Sequence, residues 1–439
     1  MESQYLALLM FVALLAGIMT GFPVFAVLMG VGLVFGFLFW GPMVLDQMVS
    51  RAFWVMMSDS LPAVPLFLFM GYILERAKII DKLFDVLLIV FGAFRGSLLI
   101  TTIVVNTIFA AAVGIVGAPV TVMGLLALPP MLRRAYDKSL ATGAILASGT
   151  LGILIPPSIY LIFYGPIANL SIARLFAAAF IPGFLFSGLY LAYVSIRCYF
   201  QPHLGPALPK EERAVPIGRL LWLLLIRLAP VAFLVLAVLG SILFGVAAPT
   251  EAAAVGGVGA IVLSIATRNF RWVYLKESVL MTMRTSSMIL LLLVGASLFT
   301  GAFLALGGGN LIKETLLGLP IGTLGIVAIM LAVICVLGMF LDGFGIMFIF
   351  VPVLSPVLPS FGIDPIWFAI LFNLALQTGF LSPPFAISIF FLKAVSPPEV
   401  LLTDIYKGVI PFIVLQIIGI ALCVFFPKII LILPSLIYR

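Results

Sequence analysis

Apolar runs of membrane-spanning length, separated by short polar breaks, pattern nearly the whole chain. They fall near residues 5–20, 23–40, 61–78, 139–168, 172–199, 219–245, 249–267, 286–307, 365–394 and 407–432. Each is read as a helix that crosses the bilayer, one crossing needing about 20 apolar residues. Two further runs, 97–132 and 322–358, are too long for one ordinary span. The first carries "GIVGAP" (Gly114 to Pro119) at its middle, with Arg95 before it and Arg133 and Arg134 after it. Basic residues mark the cytoplasmic side, so both ends face the same compartment. A re-entrant hairpin fits this better than two tightly paired spans.

Two of the crossing runs contain a double proline. "SGTLGILIPPSIYLIFYG" (Ser148 to Gly165) holds Pro156 and Pro157, and "TGFLSPPFAISIFFLKA" (Thr378 to Ala394) holds Pro383 and Pro384. Proline removes a backbone donor and forces its neighbour out of helical geometry. Inside lipid each freed backbone group costs several kcal/mol unless protein or ions satisfy it. The two breaks belong to a longer register at a shift of 227 residues: Gly30 and Gly32 fall on Gly257 and Gly259, Pro129 on Pro356, Asp137 on Asp364, and Gly152 on Gly379. Each half then holds five crossings and one hairpin. Five is odd, so the second copy runs upside down.

The predicted architecture is an all-α polytopic membrane protein of two inverted-topology repeats. Residues 1–200 form the first, with scaffold helices over 5–78, a re-entrant hairpin over 97–132, a broken helix over 139–168 and a helix over 172–199. Residues 201–218 form a cytoplasmic linker. Residues 219–439 form the second, with scaffold helices over 219–307, a hairpin over 322–358, a broken helix over 365–394 and a helix over 407–432. Inverted repeats with paired broken helices are the pattern of a secondary transporter that binds its cargo near the midplane. The alternative is a pair of proline kinks relieved by neighbouring helices. One break would favour kinks; two in register, beside two hairpin turns, favour a site.

Composition agrees: of 439 residues, 64% are hydrophobic and 9% charged, which excludes a soluble globule. The net charge of +7 does not point to nucleic acid, because the basic residues lie in short loops. Basic clusters from Arg76 to Lys407 all fall on one side of the predicted topology, and only Arg51, Arg174, Lys313, Lys428 and Arg439 fall opposite. This places the 201–218 loop in the cytoplasm and both termini outside. The N-terminal apolar run lacks a basic start and is read as a retained first span. Cys198, Cys335 and Cys423 are far apart in apolar settings and read as core residues. The sole histidine, His203, lies in a proline-rich loop, so no triad or histidine metal site is available. No phosphate-binding loop with its lysine is present, which points to an ion gradient rather than ATP as the driving force.

Asp342, in "GMFLDGFGIM", is the only acid deep in a predicted membrane segment. An aspartate at a helix centre costs about 2.5 to 3.5 kcal/mol to insert, so it faces a cavity, a cation or a partner. Around the breaks, Ser148, Thr150 and Ser158 in the first half and Gln377, Thr378 and Ser382 in the second offer short oxygen ligands, although membrane hydroxyls also bond their own backbone. Asn106 and Asn373 are further candidates of this kind. Glu251, after Pro249 and Thr250, reads as a helix-start acid at the interface. The glycines of "GVGLVFG" and "GGVGAIV" read as helix-packing positions, and "LALGGGN" (Leu304 to Asn310) as a loop.

The stretches "ASGTLGILIPPSIYLIFYGPIANLSIARLFAAAFIPGFL", "AAPTEAAAVGGVGA", "LGMFLDGFGIMFIFVPVLSPVL" and "TGFLSPPFAISIFFLKAVSPPEV" resemble the large membrane (permease, M-type) subunit of tripartite ATP-independent periplasmic (TRAP) transporters. The resemblance covers nearly the whole chain. It implies sodium-driven import of an organic acid anion across the bacterial inner membrane by an elevator motion, with Na+ as coupling ion and no other cofactor. It also implies a small membrane subunit (Q-type) and a periplasmic substrate-binding protein as partners. Carried over by position, one sodium would sit at Gly114 with Thr150, Gly152 and Pro156, and a second at Gly338 and Asp342 with Thr378, Gly379 and Pro383. Asn106, Ser148, Ser158, Asn373, Gln377 and Ser382 would face the substrate. One departure stands out: much of the family has hydroxyl residues around the first tip glycine, and this chain has Val113, Ile115 and Val116 beside Gly114. Backbone carbonyls would then carry more of the coordination. Two other functions share these features, a self-sufficient sodium/carboxylate symporter and the sodium-pumping membrane subunit of a decarboxylase.

Overall fold

The computed structural model describes residues 2–438, with side chains from Tyr5 onward; Arg439, one of the basic residues assigned to the outer side, lies outside the described residues. All regular secondary structure among the described residues is helical, with no strand among them. The first half runs α1 (Glu2–Met19), α2 (Val24–Trp40), α3 (Val44–Met56), α4 (Ala63–Arg76), α5 (Ile79–Phe91), α6 (Ser97–Val113), α7 (Gly117–Leu126), α8 (Leu128–Arg133), α9 (Lys138–Gly149), α10 (Ile159–Ala168) and α11 (Ile172–Phe200). The second runs α12 (Ile217–Leu243), α13 (Pro249–Ala266), α14 (Trp272–Ala305), α15 (Gly308–Leu317), α16 (Thr323–Gly338), α17 (Gly343–Leu354), α18 (Pro365–Leu381), α19 (Ile387–Val395), α20 (Leu402–Phe425) and α21 (Lys428–Ile437). The helix pairs α6/α7 and α16/α17 occupy the two long runs, and the pairs α9/α10 and α18/α19 carry the double prolines between them. Asp137 and Asp364 cap α9 and α18 identically, each carboxylate accepting from the backbone N–H three residues on, at 2.7 and 2.9 Å.

Six stretches among the described residues are long and apolar enough by themselves to cross a membrane: Val24–Met56, Ile172–Phe200, Ile217–Leu243, Pro249–Ala266, Trp272–Ala305 and Leu402–Phe425. Among the shorter apolar helices, α6, α10, α16, α17 and α18 are cut short by a tip or a break. Several expected boundaries move. The 286–307 span starts at Trp272, since its polar first turns hold no proline or glycine and Glu277 finds Arg76 at 3.4 Å. The 407–432 span ends at Phe425 and restarts at Lys428, because Pro427 cannot continue the helix. Helices α3, α5 and α15 were not foreseen; each sets charge and apolar residues on opposite faces, and α5, 13 residues long, buries its apolar face against α6 and α12. "LALGGGN" is not a loop throughout, for α15 begins at Gly308.

Close helix crossings use small residues, as membrane packing favours. A Cβ on Gly32 would lie 2.9 Å from the Phe299 nitrogen and one on Gly295 2.8 Å from the Phe25 carbonyl, so α2 lies directly on α14. Gly143 and Gly408 bring α9 and α20 backbone to backbone in the same way. Gly30 does not fit this role, having open space beside it. The 201–218 segment is fastened rather than free. Leu208 donates to the Gly92 carbonyl at 3.0 Å, Gly96 to Gly205 at 2.7 Å, and Asp137 to Leu204 at 3.1 Å. Tyr136 donates to the Pro206 carbonyl at 2.6 Å, and burial pushes its phenol above the ordinary range. The segment therefore straps the base of the first hairpin.

Candidate functional site

The first break forms because α9 tightens into a 3-10 turn over Thr150–Ile153 and then bends through residues 154–157 to the extended Ser158, after which α10 starts. The Pro156–Pro157 bond is cis, as is Pro383–Pro384. Opposite the break sits the hairpin tip, where Gly114 takes φ +71, a conformation open to glycine at no steric cost. The Ile159 N–H donates to the Gly114 carbonyl at 3.3 Å. A Cβ on Gly114 would lie 2.6 Å from the Pro157 carbonyl, and Gly152 packs against the Ile115 carbonyl with no room for a side chain. Tip and break thus share a core of backbone atoms, and Pro156, next to Pro157 in the chain, is buried. The hydroxyls here are tied to backbone: Thr150 donates to Ala147 at 2.8 Å, Ser158 to Ile153 at 2.5 Å, and Ser148 to Ala144 at 2.6 Å. Each such bond uses the one proton and leaves oxygen lone pairs available. Asn106 donates to Ser148 Oγ at 2.8 Å, while its own Oδ1 is buried without a partner.

The second break repeats this construction with different residues. The Ala386 N–H donates to the Met339 carbonyl at 3.2 Å, the counterpart of the Ile159–Gly114 bond. Gly338 and Gly379 press backbone to backbone, a Cβ on Gly379 falling 2.6 Å from the Cys335 carbonyl and 2.7 Å from Gly338 Cα. Thr378 donates to Leu374 at 2.9 Å and Ser382 to Thr378 at 2.8 Å, one turn ahead of Pro383. Asp342 caps α17, accepting from the Phe344 and Gly345 N–H groups at 3.0 and 3.4 Å, and is half-buried rather than sealed in the core. An N-cap carboxylate keeps further lone pairs free for a cation. Asn373 donates to Ala369, and Gln377 to Tyr190 Oη at 3.3 Å; the side-chain oxygens of both are buried and unpartnered.

Several contributors escaped the sequence reading. Ser388 donates to the Phe380 carbonyl at 2.5 Å, the role that Ser158 plays for Ile153 in the first half. Tyr190 accepts from both Gln377 and Gln416, the latter at 2.9 Å. Tyr160, just past the first break, stacks on Phe344 of the second tip with ring centroids 4.2 Å apart. Through this stack α10 packs on α17, while α19 packs on α7, so each broken helix leans on the hairpin of the other half. No hydrogen bond among the described residues joins Asn106, Ser148 or Ser158 to Asn373, Gln377 or Ser382.

No cluster of three or more His, Cys, Asp or Glu side chains suited to a metal occurs among the described residues. What gathers at the two tips is carbonyl oxygen, hydroxyl oxygen and one carboxylate. The orphaned amide atoms of Asn106, Asn373, Gln377 and Gln416 are all acceptors. Leaving such groups buried and unpaired costs about 1–3 kcal/mol each. A surplus of oxygen acceptors is complemented by a hard cation or by a ligand that brings donors.

A model of the family described as "Tripartite ATP-independent periplasmic transporter, DctM component" matches residues 11–429. The ectoine/5-hydroxyectoine TRAP transporter large permease protein UehC of Ruegeria pomeroyi is 32% identical, over 98% of this chain and 99% of its own. The C4-dicarboxylate TRAP transporter large permease protein DctM of Rhodobacter capsulatus is 26% identical over 98% and 99% of the two chains. The sialic acid TRAP transporter permease protein SiaT of Haemophilus influenzae is 26% identical over 99% of this chain and 69% of its own. Among solved structures, the YdaH transporter of Alcanivorax borkumensis matches with TM-score 0.60 at 15% identity, covering 89% of this chain and 88% of its own. MtrF of Neisseria gonorrhoeae matches with TM-score 0.59 at 14% identity, over 87% and 83%. The likeness to these two is one of fold.

Proposed function

This chain belongs to the DctM family of tripartite ATP-independent periplasmic transporters, a large permease subunit with many spans in the bacterial inner membrane, and from that premise we propose that it imports an organic acid anion in symport with sodium. The observation that carries this reading is the pair of helix breaks, each seated on a hairpin-tip glycine and lined by oxygen acceptors. One sodium binds at Gly114, Thr150, Gly152 and Pro156, held chiefly by backbone carbonyls. The second binds at Gly338, Asp342, Thr378, Gly379 and Pro383, where the Asp342 carboxylate supplies charge. Two bound cations offset the field of these oxygens and let a carboxylate approach the polar atoms of Asn106, Ser148, Ser158, Asn373, Gln377 and Ser382.

The moving body comprises the hairpins and broken helices, which lean on one another across the halves; it slides as an elevator against the scaffold of α2, α4, α13 and α14. A small membrane subunit braces that scaffold, and a periplasmic protein delivers the anion. The relatives named for ectoine, sialic acid and C4-dicarboxylate transport support a carboxylate-bearing cargo. Purified chain and small subunit in liposomes, given an inward sodium gradient and a panel of labelled organic acids, test this. Uptake that needs both sodium and the periplasmic protein supports it, and uptake without the protein moves the function to a free-standing symporter.

A further inference from the structure

Among the basic residues that break the charge asymmetry, Arg51 lines a cavity of about 160 Å³. One wall is scaffold: Arg51 and Trp54 of α3, with Ser297 and Thr300 of α14. The opposite wall is Ile167 of α10 and Phe348 of α17, elements of the moving body. The guanidinium lies flat on α14, since a Cβ on Gly301 would meet Arg51 Nη2 at 3.2 Å and Cζ at 3.5 Å. Arg51 makes no hydrogen bond or ion pair among the described residues. Thr300 is 4% exposed, and its Oγ1 is buried without any partner. An exposed, bare guanidinium and a threonine whose buried hydroxyl has no partner therefore meet at one small cavity at the seam between the fixed and moving bodies, on the face that the charge pattern makes the outer one.

We propose that Arg51 and Thr300 form an outer anion site that receives the carboxylate of the cargo before it reaches the helix breaks. The proposal rests on the organic-acid reading above. A guanidinium offers paired donors matched to a carboxylate, and Thr300 supplies a third from the α14 side. Apolar Ile167 and Phe348 exclude water from the far wall, which strengthens the pairing. The site spans the seam, so its shape changes as the bodies slide, and the anion is held only while the moving wall stands opposite Arg51.

The test titrates the purified complex of this chain and its small subunit with pyruvate, reading Trp54 emission as the difference between the wild type and Trp54→Phe. The expected result is a saturable change with pyruvate and none with the uncharged lactamide. Arg51→Gln raises the half-saturating concentration about tenfold or more, as loss of a charge-assisted bond requires, and Arg51→Lys raises it less. Gly301→Ala, which displaces the guanidinium without removing it, also weakens binding, so the result does not hang on one variant. An unsaturable response to pyruvate, an Arg51→Gln titration like the wild type, or full displacement by an equal concentration of chloride overturns the proposal. Pyruvate binding that persists while the reconstituted complex transports no organic acid would sink the transport reading and leave the site standing.

Discussion

Replacing Gly379 by alanine tests whether the second hairpin tip and the second break form one sodium site. The new Cβ would sit 2.6 Å from the Cys335 carbonyl oxygen, 2.7 Å from Gly338 Cα and 3.0 Å from the Gly338 carbonyl carbon. All three are backbone atoms of α16, so no side chain can rotate away. Restoring a separation of about 3.5 Å requires α16 and α18 to part by roughly 1 Å. Overpacking of this kind costs about 1–3 kcal/mol, and alanine recovers about 0.5–1 kcal/mol over glycine within a helix. The net loss, at most about 2.5 kcal/mol, shifts a folding equilibrium by up to about seventyfold. A cation site tolerates about 0.5 Å of ligand displacement, so sodium affinity falls as well, by about tenfold or more. The assay is thermal unfolding of the purified complex in NaCl against KCl at equal ionic strength, a sodium-specific rise in Tm reporting binding to the folded state. Gly188→Ala, with open space around its Cβ, is the control that changes helix propensity alone. A Gly379→Ala variant with the same sodium concentration dependence as the wild type would refute the reasoning.

Other substitutions separate structural from cargo-binding roles. Asp342→Asn keeps an oxygen able to accept from Phe344 and Gly345, so the α17 cap survives, while sodium-dependent uptake drops at least tenfold; a half-maximal sodium concentration within about twofold of the wild type contradicts a role in the cation site. Tyr190→Phe strands the amides of Gln377 and Gln416 and lowers stability by roughly 1–3 kcal/mol in denaturant unfolding, whereas an unchanged midpoint means that these amides have another partner. Asp137→Ala and Asp364→Ala each remove an N-cap bond and each cost about 1 kcal/mol, and unequal losses would break the equivalence of the two caps.

The breaks and tips were legible in the sequence because proline and glycine act locally: Pro156 and Pro383 interrupt a helix whatever surrounds them, and Gly114 permits a positive-φ turn at no steric cost. The short amphipathic helices α3, α5 and α15 were not, since a helix of 10 to 13 residues with charge on one face is too short for a span without being disqualified as a helix. Ser388 escaped because the 227-residue register points to Phe385 as the counterpart of Ser158; the second half caps the same carbonyl from one turn further along. Tyr190 escaped because its partners Gln377 and Gln416 come from α18 and α20, remote in sequence. The strap over 201–218 read as a linker because its anchoring bonds are mostly between backbone groups, which composition does not reveal.

The most direct test of the central claim is initial uptake of labelled organic acids by proteoliposomes holding this chain and its small subunit, measured with an inward sodium gradient, with the gradient replaced by potassium, and with and without the periplasmic protein. The account predicts uptake of at least one acid that requires sodium and the periplasmic protein together. Uptake that proceeds equally in potassium would contradict it, because the two oxygen-lined breaks would then have no cation to bind.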